Sequence, residues 1–203
     1  MIPFEPQAPI FRFKQDLADP ADLQGVVRIR WGRPDRRGLF TYYTRLDQAL
    51  LLWSGAIALI FVTAQFVPLD WKTQAIAWSA LSLATTIITS WLAWAWATAK
   101  QCRWILGVWC LLMVGGLCLT NYGVFMVQST LLMHLCTLWL GISGLGYLVS
   151  GWGMQSQALT LTGITHWLLV PLLTVLPTWQ FLLTGVFMAG NLWILAEFQW
   201  DHR

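Results

Sequence analysis

Six stretches of about 20 apolar residues each, separated by short polar or aromatic junctions, constrain this chain more than any other feature. A helix covers ~30 Å of hydrocarbon with roughly 20 residues at ~1.5 Å each. Runs of that length lie at 48–68, 75–99, 104–121, 126–150, 158–178 and 181–200. In lipid every backbone amide and carbonyl must be satisfied within the spanning structure, so each run is expected to be helical. The expected fold is all-α: a polytopic membrane bundle of about six transmembrane helices (48–203) behind a short basic amino-terminal segment (1–47). Composition agrees, since 57% hydrophobic and 10% charged residues leave too little charge for a soluble surface. No secretory signal peptide is expected, because the first apolar run begins only near Ala49.

The charges set an orientation. Lys and Arg occupy positions 12, 14, 28, 30, 33, 36, 37 and 45, ahead of the first long run, and only Lys72, Lys100, Arg103 and Arg203 follow. With six spans, only Lys72 falls on the side opposite the amino-terminal segment, so both termini are expected in the cytoplasm. The closely spaced Arg28, Arg30, Arg33, Arg36 and Arg37 suit contact with anionic lipid or a partner protein; a nucleic-acid partner is not expected. Val27, Ile29 and Trp31 alternate with Arg28 and Arg30 at the period of a strand, and Gly32 to Asp35 reads as a turn. Leu39, Phe40, Tyr42 and Tyr43 suit the headgroup level, and Thr44 with Asp47 fits a capping box opening the first span. Trp71, Trp104, Trp152, Trp179 and Trp200 fall at expected span ends, where indoles favour the interface.

Within the second run Ser79, Ser82, Thr86, Thr89, Ala93 and Ala97 form a stripe of small and hydroxyl side chains, which suits an interior helix. Trp78, Trp91 and Trp96 are expected off that stripe. Gly146 with Ser150, and Gly185 with Ala189, give similar close-packing pairs. Pro171 and Pro177 should bend or break the fifth span just after Thr162, Thr165 and His166.

Chemistry-bearing residues are few. Glu197 is the sole carboxylate within the runs and lies within reach of water or Arg203. Cys102, Cys110, Cys118 and Cys136 form no C-x-x-C pair, so neither a metal site nor a disulfide framework is expected. His134 and His166 are the two imidazoles placed to ligate a tetrapyrrole or metal, provided that they share a depth. Hydrogen bonding to a nearby carbonyl, such as that of Trp167, is the simpler role for a histidine here. No cofactor is assigned.

Gly141-Ile142-Ser143-Gly144, followed by Tyr147 and Gly151, resembles the G-x-S-G serine motif of rhomboid intramembrane proteases, over about eleven residues. That resemblance implies Ser143 as nucleophile, with His166 as the available base. The chain departs from the family in having no histidine on the sixth span and no H-x-x-x-N pair earlier. Glycine–serine runs also serve helix packing, which is the reading taken. The segment from Phe11 to Leu17 and the run from Arg30 to Phe40 resemble the amino-terminal part of a family of small multi-pass membrane proteins of cyanobacteria. This implies a plasma-membrane or thylakoid setting. The function expected is a non-enzymatic accessory or assembly protein of a larger membrane complex, a photosynthetic complex being one such setting. A Ser143/His166 hydrolase, a His-ligated cofactor protein and a neutral-solute transporter are the alternatives.

Overall fold

The computed structural model describes residues 10–14, 27–31 and 39–201. Helices α1 (Arg45–Phe66), α2 (Trp71–Ala99), α3 (Arg103–Phe125), α5 (Leu135–Met154), α6 (Gln157–Val175) and α7 (Gln180–Glu197) form the bundle. The short α4 (Ser129–Met133) precedes α5, and a single 3-10 turn, Pro177–Trp179, leads into α7. Six segments are long and apolar enough to cross a membrane. The protein is thus a multi-pass helical membrane protein. Two short antiparallel ribbons accompany the helices: β1 (Phe11–Phe13) pairs with β4 (Phe198–Trp200), and β2 (Val27–Trp31) with β3 (Leu39–Tyr43). The strand period around Val27 is therefore realised, while Gly32 to Asp35 lie outside the described residues.

Helix starts follow their side chains. Thr44 and Asp47 form the expected reciprocal capping box at α1. Asp70 opens α2 by accepting from the Thr73 amide at 2.9 Å, and its hydrogen bonds with Thr73 hold the carboxyl below its ordinary range. Helix α6 is capped twice, by Ser156 and by Asp201, whose carboxylate accepts from the Ser156 hydroxyl and the Gln157 and Ala158 amides. Helix ends carry less sequence signal. Cys102, Gln128 and Ser156 each donate their amide to a carbonyl five residues back. In each case the preceding residue, Gln101, Val127 or Gln155, is left-handed, with φ of 55°, 52° and 54°. A glycine usually marks such a closure.

The third and fourth spans end later than expected for this reason. The expected fourth span of 126–150 becomes α5, displaced toward the carboxyl end, because α3 runs on through Asn121-Tyr122-Gly123 and closes at Val127. Gly151-Trp152-Gly153 stays helical. In the fifth run Pro171 sits inside α6 without breaking it, and the helix ends at Val175 ahead of Pro177. At the chain's end α7 stops at Glu197, whose carboxylate accepts from the Tyr43 hydroxyl at 2.6 Å. Arg203 is outside the described residues.

The helices form a ring. Helix α1 packs on α2 and α7, α2 on α3, α3 on α5, and α5 on α6, with α7 touching both α5 and α6. Glycine sets the tightest approaches. A Cβ on Gly185 would overlap Phe61, one on Gly144 would overlap the Trp167 indole, and one on Gly146 would stand 2.6 Å from Trp109. The expected close-packing role of Gly146, Ser150, Gly185 and Ala189 is realised, with Ser150 Oγ accepting from Trp109 Nε1 at 3.0 Å and the Ala189 carbonyl from Ser54 at 2.9 Å. Helix α2 is a wall of the ring and not an interior helix; α5 is the most buried span.

At the end holding β1 and β4, Lys14 Nζ lies 2.8 Å from Asp47, which is fully buried, and 4.7 Å from the Tyr43 ring centroid. This basic residue is engaged by protein.

Candidate functional site

Six helices in a ring leave room inside when their inward side chains are small. The inward face of α2 carries Ala75, Ser79, Ser82, Thr86, Thr89 and Ala93, and that of α5 carries Ser143, Tyr147 and Ser150. Between them runs a cavity of about 220 Å³, bordered on the other sides by α1, α3, α6 and α7. It is drawn out along the bundle. Its lining on α2 extends from Ala75 to Trp96, a length of ~30 Å at ~1.5 Å per residue. A space of that volume and length suits one linear chain better than a flat macrocycle. Apolar atoms dominate the wall, and no charged side chain among the described residues lines it.

Indoles build that wall. Trp78 and Trp96, expected off the stripe, are buried and face the cavity, whereas Trp91 is exposed. Four indole amides find hydroxyls across helix pairs. Trp53 donates to Thr89 and Trp78 to Thr63 between α1 and α2, and Trp109 to Ser150 and Trp139 to Thr120 between α3 and α5. Each pair of helices is thus bolted in both directions at 3.0–3.2 Å. Trp71, Trp104, Trp152 and Trp179 are exposed, as interfacial indoles would be, but Trp200 is only 3% exposed. Pairing of β4 with β1 turns Trp200 inward, where it helps to close one end of the cavity.

Among the described residues His166 is the one imidazole on this wall. It is fully buried on α6, its ring 5.0 Å from both the Tyr147 and Phe187 ring centroids. Its Nδ1 lies 2.7 Å from the Thr162 carbonyl. A carbonyl only accepts, so Nδ1 carries hydrogen, and Nε2 of the neutral ring is an acceptor. The partner carbonyl is therefore Thr162 and not Trp167. Nε2 is buried and has no hydrogen-bond partner.

Ser143 faces the same cavity and is buried. With Nδ1 on Thr162 and Nε2 unpartnered, His166 is not hydrogen-bonded to Ser143, so the nucleophile–base contact of a hydrolase is not made. Gly144 of the same run instead receives Trp167, whose indole also donates to the Gly141 carbonyl at 3.3 Å. The G-x-S-G run is thus part of the α5–α6 seam.

His134 is elsewhere. It is exposed between α4 and α5, at the far end of the bundle, with Nδ1 2.8 Å from the Thr130 carbonyl. His166 lies nine residues into α6 from the opposite end, or ~14 Å at ~1.5 Å per residue. The two do not share a depth, and no group of three metal-ligating side chains occurs among the described residues. Arg28 and Arg30 fall on β2, while Arg33, Arg36 and Arg37 lie outside the described residues.

Tyr147 and Phe187, which frame His166, were not singled out from sequence as a site. A signal for the cavity was present: Ser143, Tyr147 and Ser150 recur at four- and three-residue steps, matching the stripe on α2. Read together, two such stripes on different helices describe a lined space and not a contact. No protein-family model, curated protein or solved structure matches this chain.

Proposed function

We propose that this chain is a non-enzymatic membrane protein that accommodates one linear apolar molecule inside its bundle, and serves a larger membrane complex as an accessory or assembly protein in that capacity. The observation that carries this reading is the long, uncharged cavity walled by Trp53, Trp78, Trp96, Trp109 and Trp139. An apolar molecule there exchanges lipid for a surface of fixed shape, so selectivity comes from fit and from a few polar atoms. The test is purification from native membranes, solvent extraction and mass spectrometry of the small molecules retained. Near-stoichiometric retention of one apolar species is expected, and it should be lost in Ser82→Phe, which fills the cavity from α2. Retention of only bulk lipid, unchanged by Ser82→Phe, would defeat the proposal.

Both termini are placed on the cytoplasmic side of a plasma or thylakoid membrane, with Arg28, Arg30, Arg33, Arg36 and Arg37 facing anionic lipid. Arg45, Lys100 and Arg103 gather at the end of the bundle that also holds β1 and β4, opposite Lys72, which supports this orientation. Single cysteines in a variant lacking the native four should react with an impermeant thiol reagent on intact cells near Lys72. They should not react before Thr44. Reaction of the amino-terminal segment from outside would reverse the assignment.

A further inference from the structure

The cavity's polar inventory narrows what can enter it. Thr86, Thr89 and Ser150 already donate their hydroxyl hydrogens to the carbonyls of Ser82, Thr85 and Gly146, one turn back on their own helices. Such back-bonding leaves these oxygens as spent donors. Among the described residues no Lys or Arg is on the wall to receive a carboxylate or phosphate, and no Asp or Glu to receive an ammonium group. An ionised head group would therefore lie unpaired in an apolar enclosure, which is strongly unfavourable.

Against this background His166 offers an acceptor, Nε2, that is buried and without a partner on a residue of the cavity lining; Trp96 Nε1, on α2, is an unpartnered donor on the same lining. The orientation of His166 Nε2 is fixed from the other side of the ring, because Nδ1 is tied to Thr162 and the ring is held between Tyr147 and Phe187. An unmet buried acceptor calls for a hydrogen-bond donor in the ligand. It sits ~14 Å from one end of α6 by helical rise, so the donor would lie near the middle of the bundle with apolar chain extending from it.

We propose that His166 Nε2 accepts a hydrogen bond from a single uncharged hydroxyl group on the linear molecule, making the ligand class a long-chain or prenyl alcohol, including prenyl phenols. This rests on the cavity binding an apolar molecule, as proposed above. Plain hydrocarbons would leave Nε2 unpaired, fatty acids and phospholipids would bring a charge that nothing receives, and ethers and esters offer it no donor.

The experiment uses the full chain in phosphatidylcholine nanodiscs and two photoreactive probes: a linear hexadecanol with a diazirine at its far end, and the methyl ether of the same molecule. Labelled residues are located by mass spectrometry. The alcohol should label residues on the cavity wall, half-maximally at a concentration about tenfold below that of the ether, the ratio that one hydrogen bond to a dry acceptor supplies. In His166→Leu the two probes should label alike while the cavity remains labelled. Equal labelling of the native cavity by both probes overturns the hydroxyl assignment and leaves the apolar cavity standing; Nε2 is then served by water. Labelling of no cavity residue by either probe overturns both proposals. The comparison of alcohol with ether in the native protein decides the matter even if His166→Leu does not fold. A preference for alcohol that persists in a folded His166→Leu protein assigns the hydroxyl elsewhere and also overturns the inference.

Discussion

A buried indole N–H in lipid has no water to turn to, so its partner comes from protein or from a bound molecule. Thr63, Thr89, Thr120 and Ser150 supply it for Trp78, Trp53, Trp139 and Trp109, and these four contacts explain why hydroxyl residues recur where close packing alone would be met by alanine. Interhelical hydrogen bonds in membranes contribute about 0.6 kcal/mol on average, up to about 1.7. Ser150→Ala should therefore lower the thermal unfolding midpoint in detergent modestly, and Trp109→Phe in the Ser150→Ala background should cost less than it does in the native protein. Additive losses would show that the hydrogen bond itself contributes nothing. Gly185 is a stricter case, since a Cβ there would meet the Phe61 Cβ in the α1–α7 seam. Gly185→Val should destabilise by about 1–3 kcal/mol through overpacking, read as a lower unfolding midpoint, whereas Gly55→Val, at an open position, should have a much smaller effect. Single residues were legible in sequence where one residue type has one use, as for Thr44 and Asp47 at the start of α1. The role of Trp200 was not legible, because an indole at a span end serves equally well in an interface or under a strand pairing that joins residues far apart in sequence.

At the scale of elements, apolar run length gave the six spans because hydrocarbon thickness fixes it. The helix ends were harder. Gln101, Val127 and Gln155 close helices in a left-handed conformation that their side chains do not advertise, and Val127, being β-branched, is the most strained of them. Val127→Gly should raise the unfolding midpoint, since glycine adopts that conformation without penalty and the exposed valine side chain packs little. A lowered midpoint would mean that the Val127 side chain, and not its backbone, anchors the turn. Helix α6 depends on a residue 43 positions away from its first turn: Asp201 caps Ala158 as well as Gln157 and Ser156. Asp201→Ala should destabilise by about 1–3 kcal/mol, the usual cost of leaving buried donors unsatisfied. Amide exchange should then accelerate at Gln157 and Ala158 specifically; exchange confined to α7 instead would deny the cap. Local sequence marks Ser156 but not Asp201, because only the folded ring brings the end of the chain to the start of α6.

At the scale of the whole molecule, the ring is stitched at one end by β1 on β4, by Lys14 on Asp47 and by Asp201 on α6, while its length is bolted by indoles. This arrangement holds a ring open around small side chains that would otherwise invite collapse, and it gives the hydroxyl stripe of α2 a cavity to face. The most direct test of the account is a crystallographic density map of the protein purified from native membranes and grown from a lipidic phase. The account predicts a continuous tube of non-protein density passing between α2 and α5 and alongside His166. A bundle in which Trp78, Trp109 and Trp139 have moved together to fill the space, with no such density, would contradict it.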